Sequence, residues 1–173
     1  MALFLVQHGK SLPKEKDPNK GLSEGGIHET ERIAQVAKGY GVHVSGIAHS
    51  GKTRARQTAD IFASALRPEG GLQEISGLNP LDDVASALRP EGGLQEISGL
   101  NPLDDVTAIA IDSTEDRMLV GHLPFMERLT AYLITGSIER PVFKFQNSGI
   151  VCLNKAPDTK SWVIKWALMP HIG

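Results

Sequence analysis

Cysteine is nearly absent from this chain, since Cys152 is the single one among 173 residues. An internal disulfide is therefore excluded, and a lone thiol is typical of a reducing, cytoplasmic compartment. Long apolar runs are missing as well. The longest one near the N-terminus, Ala2 to Val6, is too short for a secretory signal or a membrane span. We therefore expect a cytoplasmic protein with no membrane partner.

An excess of charge of either sign is missing too, because 18 basic residues balance 20 acidic ones and leave a formal net charge of −2. This balance gives no electrostatic reason to expect nucleic acid as a partner. A length of 173 residues with 40% hydrophobic and 22% charged residues is typical of one globular domain that needs no disulfide or metal to fold. We predict a single domain over residues 1–173.

A tandem duplication occupies the middle of the chain. Residues 63–84 and 85–106 both read ASALRPEGGLQEISGLNPLDDV, 22 residues without one difference. Solenoids are built from three or more diverged units, so two identical copies indicate an insertion into a fold of 173 − 22 = 151 residues. We place the extra copy in a surface loop from about Gly70 to Gly92, because this stretch is rich in turn residues and loops tolerate insertions.

Elsewhere, short apolar runs alternate with helical periodicities. Strands are predicted for Leu3 to Val6, Val44 to Ala48 and Met118 to Val120, and helices for Ser23 to Lys38, Thr53 to Leu66 and Pro124 to Leu133. Residues 106–111 fit either type. Residues 143–145, 150–153 and 162–166 alternate with period two, which predicts strands. The alternation indicates a three-layer α/β/α sandwich around a mostly parallel sheet.

Candidate chemistry lies where predicted strands end. His8 and His122 follow two apolar runs and each has a glycine beside it, and Arg54 comes after a third run at the start of a helix. Ligands of such folds bind at the carboxyl ends of the strands. An imidazole nitrogen can attack phosphorus, while cations and N–H groups stabilise the phosphoryl oxygens. The three residues therefore predict a phosphoryl-transfer pocket. No third ligand with suitable spacing supports a metal site at the two histidines.

Four segments carry a family resemblance. LFLVQHGKS (residues 3–11) resembles a strand followed by Arg-His-Gly, and KGLSEGG (20–26) resembles an Arg-Pro-Leu-Thr-x-x-Gly segment. HSGKTRARQTA (49–59) resembles Ser-x-x-x-Arg-Ala-x-Gln-Thr, and LVGHLPFM (119–126) resembles a second histidine motif. In this order the motifs resemble those of the histidine phosphatase superfamily, with its phosphoglycerate mutase-like fold. The closest resemblance is to its short branch, the SixA-like phosphohistidine phosphatases.

The resemblance implies a hydrolase that needs neither metal nor cofactor. His8 would be the nucleophile that becomes phosphorylated, and Arg54 and His122 would hold the transferring phosphoryl group. Lys20 would replace a further phosphate-binding arginine. Ser50 would either contact phosphate or cap the following helix. The implied substrate is phosphohistidine in a protein, and a small phosphate ester is the alternative within the family.

Two departures from the family pattern bear on activity. Gln7 stands where the family usually has arginine, and we expect its amide to bind the phosphoryl group. An amide donates hydrogen bonds without the charge or the fork of a guanidinium. The general acid of larger members is also not identified, although four carboxylates lie near in sequence: Asp82, Asp83, Asp104 and Asp105. A phosphoramidate nitrogen can be protonated before cleavage, so a missing acid favours phosphohistidine over a sugar phosphate.

A P-loop pattern provides the alternative from another class. GIAHSGKT at residues 46–53 satisfies GxxxxGK[ST], and residues 108–112 resemble a Walker B strand. The pattern requires a buried strand before its first glycine, and residues 42–45 are short and half polar. We interpret the match as accidental. A nucleotide binder and an inactive phosphate-binding relic stay as alternative functions.

Overall fold

Six strands and three helices form the described part of the chain, which comprises residues 1–75, 115–156 and 162–172 of a computed structural model. The strands are β1 (Ala2–Gln7), β2 (Gly46–His49), β3 (Leu72–Glu74), β4 (Arg117–Gly121), β5 (Ile150–Lys155) and β6 (Trp162–Leu168). The helices are α1 (Glu24–Gly39), α2 (Thr53–Leu66) and α3 (Phe125–Thr135). No helix within these ranges is both long and apolar enough to cross a membrane.

The strands form one mixed sheet in the order β3-β2-β4-β1-β5-β6. β1, β4, β2 and β3 run parallel to one another, whereas β5 is antiparallel to both of its neighbours. Gln7 pairs with Gly121, and His49 pairs with Val120. The carboxyl ends of β1, β2 and β4 therefore meet at one edge of the sheet, which brings the loops that follow them together.

The sheet is buried on both faces. Phe4 and Val6 pack into the apolar cluster under α1 and α2, while Leu3 and Leu5 pack into the cluster under α3. Burial on both sides explains why β1 reads as a continuous apolar run rather than an alternating one. The predicted three-layer sandwich with a mostly parallel sheet is confirmed.

Most predicted elements form close to their expected bounds. α2 covers the predicted residues, and α1 begins one residue after Ser23, whose Oγ accepts a hydrogen bond from the Gly26 amide at 3.1 Å as an N-cap. Residues 143–145, predicted as a strand, have no regular structure.

The alternative of a P-loop at residues 46–53 is wrong, because Gly46–His49 form a buried strand where that motif needs an open loop.

One strand, β3, forms within the stretch that is predicted to hold the inserted copy. β3 begins two residues after Gly70, whose amide donates to the Ser45 carbonyl at 2.7 Å, and it pairs with β2 as an edge strand. All three side chains of β3 are exposed, so the sequence carries no apolar signature for it. The rest of the proposed insertion and residues 106–111 lie outside the described residues.

Candidate active site

His8 directly follows β1, and two hydrogen bonds determine its tautomer. Arg54 Nε lies 3.0 Å from His8 Nε2, and His8 Nδ1 lies 2.7 Å from the Gly9 carbonyl oxygen. A guanidinium N–H can only donate, so Nε2 is the acceptor. The ring proton therefore resides on Nδ1 and is donated to the carbonyl of Gly9. The result is a neutral imidazole whose Nε2 carries a lone pair beside a cation.

The surroundings of His8 also favour its neutral form. Burial lowers the pKa of His8 from 6.5 to about 4, an effect opposed by the hydrogen bond to Gly9 and reinforced by the charge of Arg54. At neutral pH the ring is thus unprotonated and nucleophilic. Burial also lowers the pKa of the Arg54 guanidinium.

His122 directly follows β4 and completes the cluster. Its ring is 1% exposed and lies 4.8 Å from the His8 ring, centroid to centroid. Ser50, at the end of β2, is fully buried, and its Oγ lies 2.7 Å from His122 Nε2. Ser50 is not a helix cap, because the N-cap of α2 is Lys52, which makes no side-chain capping bond. The ends of three neighbouring strands thus bring together His8, His122 and Ser50.

The loop that holds His8 is fixed by polar side chains from two other parts of the fold. The Gly9 amide donates to Thr58 Oγ1 on α2 at 2.9 Å, and Asn147 Nδ2 donates to the His8 carbonyl at 2.7 Å. A Cβ atom added to Gly9 would lie 2.6 Å from Thr30 Oγ1 on α1. The close approach of α1 therefore requires glycine directly after His8.

Lys20 and Gln7 are the two remaining predicted site residues, and neither side chain forms a hydrogen bond with this cluster within the described ranges. Lys20 is exposed in the loop between β1 and α1, and its side chain forms no hydrogen bond or ion pair within the described ranges. Gln7 is the last residue of β1 and is half-buried, and its Oε1 is buried without a hydrogen-bond partner among the described residues. Gln7 therefore presents an unused acceptor rather than an arginine's donors.

The structure brings one carboxylate toward the cluster that the sequence did not identify as a site residue. Glu74 ends β3, and its carboxylate lies against Cα of Gly51, where any side chain on residue 51 would collide with it. Gly51 follows Ser50 directly in the sequence. Because β3 carries no apolar signature, no sequence signal identifies Glu74. The four aspartates considered as general acids lie outside the described residues.

The described residues at this edge of the sheet do not form a metal-binding site. Among the described residues, no group of three or more His, Cys, Asp or Glu side chains has an arrangement that could hold a metal ion. The polar groups that converge on the cluster are instead the ring nitrogens of two histidines, a guanidinium and a hydroxyl. Such a set can bind and stabilise a tetrahedral or trigonal oxyanion.

No protein family and no curated protein matches the sequence. The structure is similar to that of the protein histidine phosphatase SixA complexed with tungstate, with a TM-score of 0.74, 22% identity and coverage of 98% of this chain and 97% of that one. It is also similar to a phosphohistidine phosphatase SixA from Agrobacterium tumefaciens, with a TM-score of 0.69, 24% identity and the same coverage.

A third similar structure is a phosphoglycerate mutase from Plasmodium falciparum, with a TM-score of 0.61, 16% identity and coverage of 95% of this chain and 88% of that one. At these identities the similarity establishes the fold. The chain has the phosphoglycerate mutase-like α/β fold of these structural neighbours. The fold predicted from the four motifs is therefore confirmed.

Proposed function

We propose that this chain is a phosphatase that acts on phosphohistidine through a phosphohistidine intermediate of its own. The tautomer of His8 is the observation that carries the proposal. Its Nδ1 proton is held by the Gly9 carbonyl, which leaves the Nε2 lone pair directed at the cation Arg54. A neutral imidazole nitrogen beside a cation is the arrangement that nucleophilic attack on a phosphoryl group requires. The fold shared with phosphohistidine phosphatases supports it.

In the first step, His8 Nε2 donates its electron pair to phosphorus and the P–N bond to the substrate imidazole breaks. The leaving nitrogen takes a proton from solvent. Arg54 shifts its N–H groups from Nε2 to the phosphoryl oxygens as they approach. In the second step, water attacks phosphorus, the bond to His8 breaks, and inorganic phosphate leaves.

His122 and Ser50 supply the opposite side of the phosphoryl site. The rings of His8 and His122 lie 4.8 Å apart, so a group bonded to one ring is within reach of the other. Ser50 Oγ holds His122 Nε2 at 2.7 Å and thereby orients the second ring. Both side chains are buried, which strengthens their interaction with a developing negative charge.

The substrate preference follows from the leaving group. An imidazole leaves readily once its nitrogen is protonated, and the described cluster around His8 needs no strong acid for that step. We expect a phosphohistidine peptide to be hydrolysed with the highest kcat/KM, an aryl phosphate more slowly, and ATP not measurably. Assays of the three substrates under one set of conditions test this order. Preferential hydrolysis of ATP, or no turnover of the phosphohistidine peptide, would contradict the proposal.

A second candidate, a phosphomonoesterase, is favoured by Glu74. An alkoxide is a poor leaving group, so ester hydrolysis benefits from a positioned proton donor worth about 10²–10⁴-fold in rate. The carboxylate of Glu74 lies against Gly51, the residue that follows Ser50 of the cluster, and we infer that it can serve as this donor. In this case Glu74→Gln lowers kcat on an alkyl phosphate at least tenfold and spares an aryl phosphate.

The duplication provides a matched control for that experiment. Glu96 occupies the same position in the second copy as Glu74 does in the first, within identical neighbours. Because β3 is formed by the first copy, Glu74→Gln should change the kinetics and Glu96→Gln should not. Equal turnover of the alkyl phosphate by the two variants and the unmodified chain would exclude Glu74 as a proton donor in ester hydrolysis.

A further inference from the structure

A cavity of about 410 Å³ lies at the same edge of the sheet as His8, on the side of β5 and β6. β6 runs parallel to β1, since both are antiparallel to β5, so the segment after β6 returns to the edge where β1 ends. The cavity is lined by Lys10, Gly25, Glu29, Gln146, Asn147 and His171. Its volume is within the range of ordinary ligand pockets.

The cavity and the nucleophile share one loop. Lys10 follows His8 by two residues, and Asn147, which donates to the His8 carbonyl at 2.7 Å, lines the cavity as well. A molecule bound there therefore lies beside the loop that carries His8. Lys10 has no role in the catalytic cluster described above, whereas Asn147 connects the cavity to it through the His8 carbonyl.

Hydrogen bonds hold the cavity wall in place. His171 Nε2 lies 2.7 Å from Glu29 Oε1 on α1. Gln146 Oε1 accepts from the His171 amide at 3.0 Å, and Gln146 Nε2 donates to the His171 carbonyl at 3.2 Å. Arg32 on α1 donates to the Pro170 carbonyl at 2.8 Å. The segment after β6 is thereby fixed against α1, and the polar groups of Glu29 and Gln146 are engaged with it.

Lys10 is the cation that this wall leaves available. Its side chain is exposed and forms no ion pair or hydrogen bond within the described ranges, whereas Glu29 is paired with His171. An ammonium group among polar walls, with no internal carboxylate partner, suits a carboxylate of a bound molecule. An aspartate or glutamate next to a phosphohistidine in a polypeptide would supply such a carboxylate.

We propose that this cavity is a specificity subsite that binds the polypeptide next to the phosphohistidine and receives an acidic side chain at Lys10. The inference rests on the proposed function, because it assumes that the phosphoryl group is delivered by a polypeptide. It goes beyond that function in naming the sequence context that the chain selects. Substrates with aspartate or glutamate near the phosphohistidine are then preferred over neutral ones.

The experiment compares three phosphohistidine peptides that differ in one neighbouring residue, either aspartate, asparagine or lysine, with phosphoramidate as the substrate that lacks a peptide. Lys10→Glu is the test variant. Lys14→Glu is its matched control, because Lys14 has the same charge and the same loop but does not line the cavity. Thermal melting of both variants verifies folding, which we expect to be retained because both side chains are exposed.

The unmodified chain should favour the aspartate peptide over the asparagine peptide about tenfold in kcat/KM, the scale of one charge-assisted hydrogen bond. Lys10→Glu should reverse the order and favour the lysine peptide, while Lys14→Glu should keep the original order. Equal losses in the two variants would show general charge attraction and overturn the subsite. No discrimination by the unmodified chain would overturn it as well.

A binding measurement separates the subsite from the proposed function. The unphosphorylated aspartate and asparagine peptides are titrated into the unmodified chain and into Lys10→Glu. Binding is detected by nuclear magnetic resonance from the amide shifts of residues 10, 146 and 147, and this measurement needs no turnover. Tighter binding of the aspartate peptide that is lost in Lys10→Glu supports the subsite even if no phosphohistidine peptide is hydrolysed. Shifts confined to other residues, or saturation by a free dicarboxylate at the same affinity, would overturn a polypeptide site.

Discussion

The Nε atom of Arg54 donates a hydrogen bond to His8 Nε2 at 3.0 Å, so the cation of the site contacts the atom that we propose as the nucleophile. In the free chain this contact fixes the tautomer of His8 and opposes its protonation. A phosphoryl group that enters the site offers oxygens that bind the guanidinium more strongly than a neutral nitrogen does. Substrate binding therefore releases the nucleophile that it needs.

The protonation of His8 gives the first prediction. Its pKa of about 4 means that the ring stays neutral well below its ordinary value of 6.5 and gains a proton only as the pH falls toward about 4. On the acid side, kcat/KM should decline through that range because protonation removes the Nε2 lone pair. The free energy of unfolding should also decrease as the pH falls from about 6.5 to about 4, since the unfolded chain binds this proton first.

Nuclear magnetic resonance titration of the ring measures that pKa. Replacing the cation by Arg54→Gln should raise the pKa of His8, because a positive neighbour disfavours imidazolium. The same change should lower kcat by about 10²–10³-fold, as the loss of one stabilising donor does elsewhere. His28→Ala, which removes an exposed ring on α1, serves as the control. Titration of His8 near 6.5 in the unmodified chain would contradict the inferred burial and tautomer.

Gln7→Arg should raise kcat/KM on phosphomonoesters on the order of tenfold, which corresponds to about 1.4 kcal/mol of the barrier. The buried Oε1 of Gln7 has no hydrogen-bond partner among the described residues, and an arginine replaces that acceptor by donors and a charge. Steady-state kinetics with an aryl phosphate, together with thermal melting, tests this prediction. An unchanged rate at unchanged stability would mean that the pocket functions with glutamine as it is.

Ser50→Ala should lower kcat about tenfold with little change in KM, because a His122 ring that has lost an orienting partner is less well placed for the transition state. Ser64→Ala removes a hydroxyl that bonds only to the Asp60 carbonyl on the exposed side of α2, and it is the matched control. Identical kinetics for the two variants would leave Ser50 without a role in the reaction.

Much of this fold can be predicted from the sequence, because burial on both faces marks β1 and β4 and helical periodicity marks α2. His8, Arg54 and His122 could be predicted together for the same reason, since each follows an element that the apolar pattern identifies. β3 could not be predicted, because it is a three-residue edge strand with exposed side chains. Glu74 was missed along with the strand that places it.

The contact between Ser50 and His122 can be recognised only from the folded structure. A serine a few residues before a helix is typical of an N-cap, and only the parallel pairing of β2 with β4 brings it to His122. At residues 143–145 the sequence predicts a strand that does not form. Their alternation is typical of a strand, but Phe143 and Phe145 pack edge to face with ring centroids 5.4 Å apart in a segment without regular structure.

Deletion of either 22-residue copy gives one and the same chain of 151 residues, which keeps the sequences of α2 and β3. The connection from β3 to β4 shortens from 42 residues (75–116) to 20. We expect unchanged or slightly higher stability, since halving a loop saves about 0.6 kcal/mol of closure entropy. Thermal melting and phosphatase kinetics of the two chains test this prediction. A shortened chain that fails to fold would show that both copies are structural.

The most direct test is to find the covalent intermediate. Rapid quenching at alkaline pH during turnover of a phosphohistidine peptide, followed by mass spectrometry, should place a phosphoryl group on His8 of the chain and on no other residue. His8→Ala should show neither the modification nor turnover, and a His28→Ala control should show both. Phosphate on His122 instead, or undiminished turnover in His8→Ala, would contradict nucleophilic attack by His8.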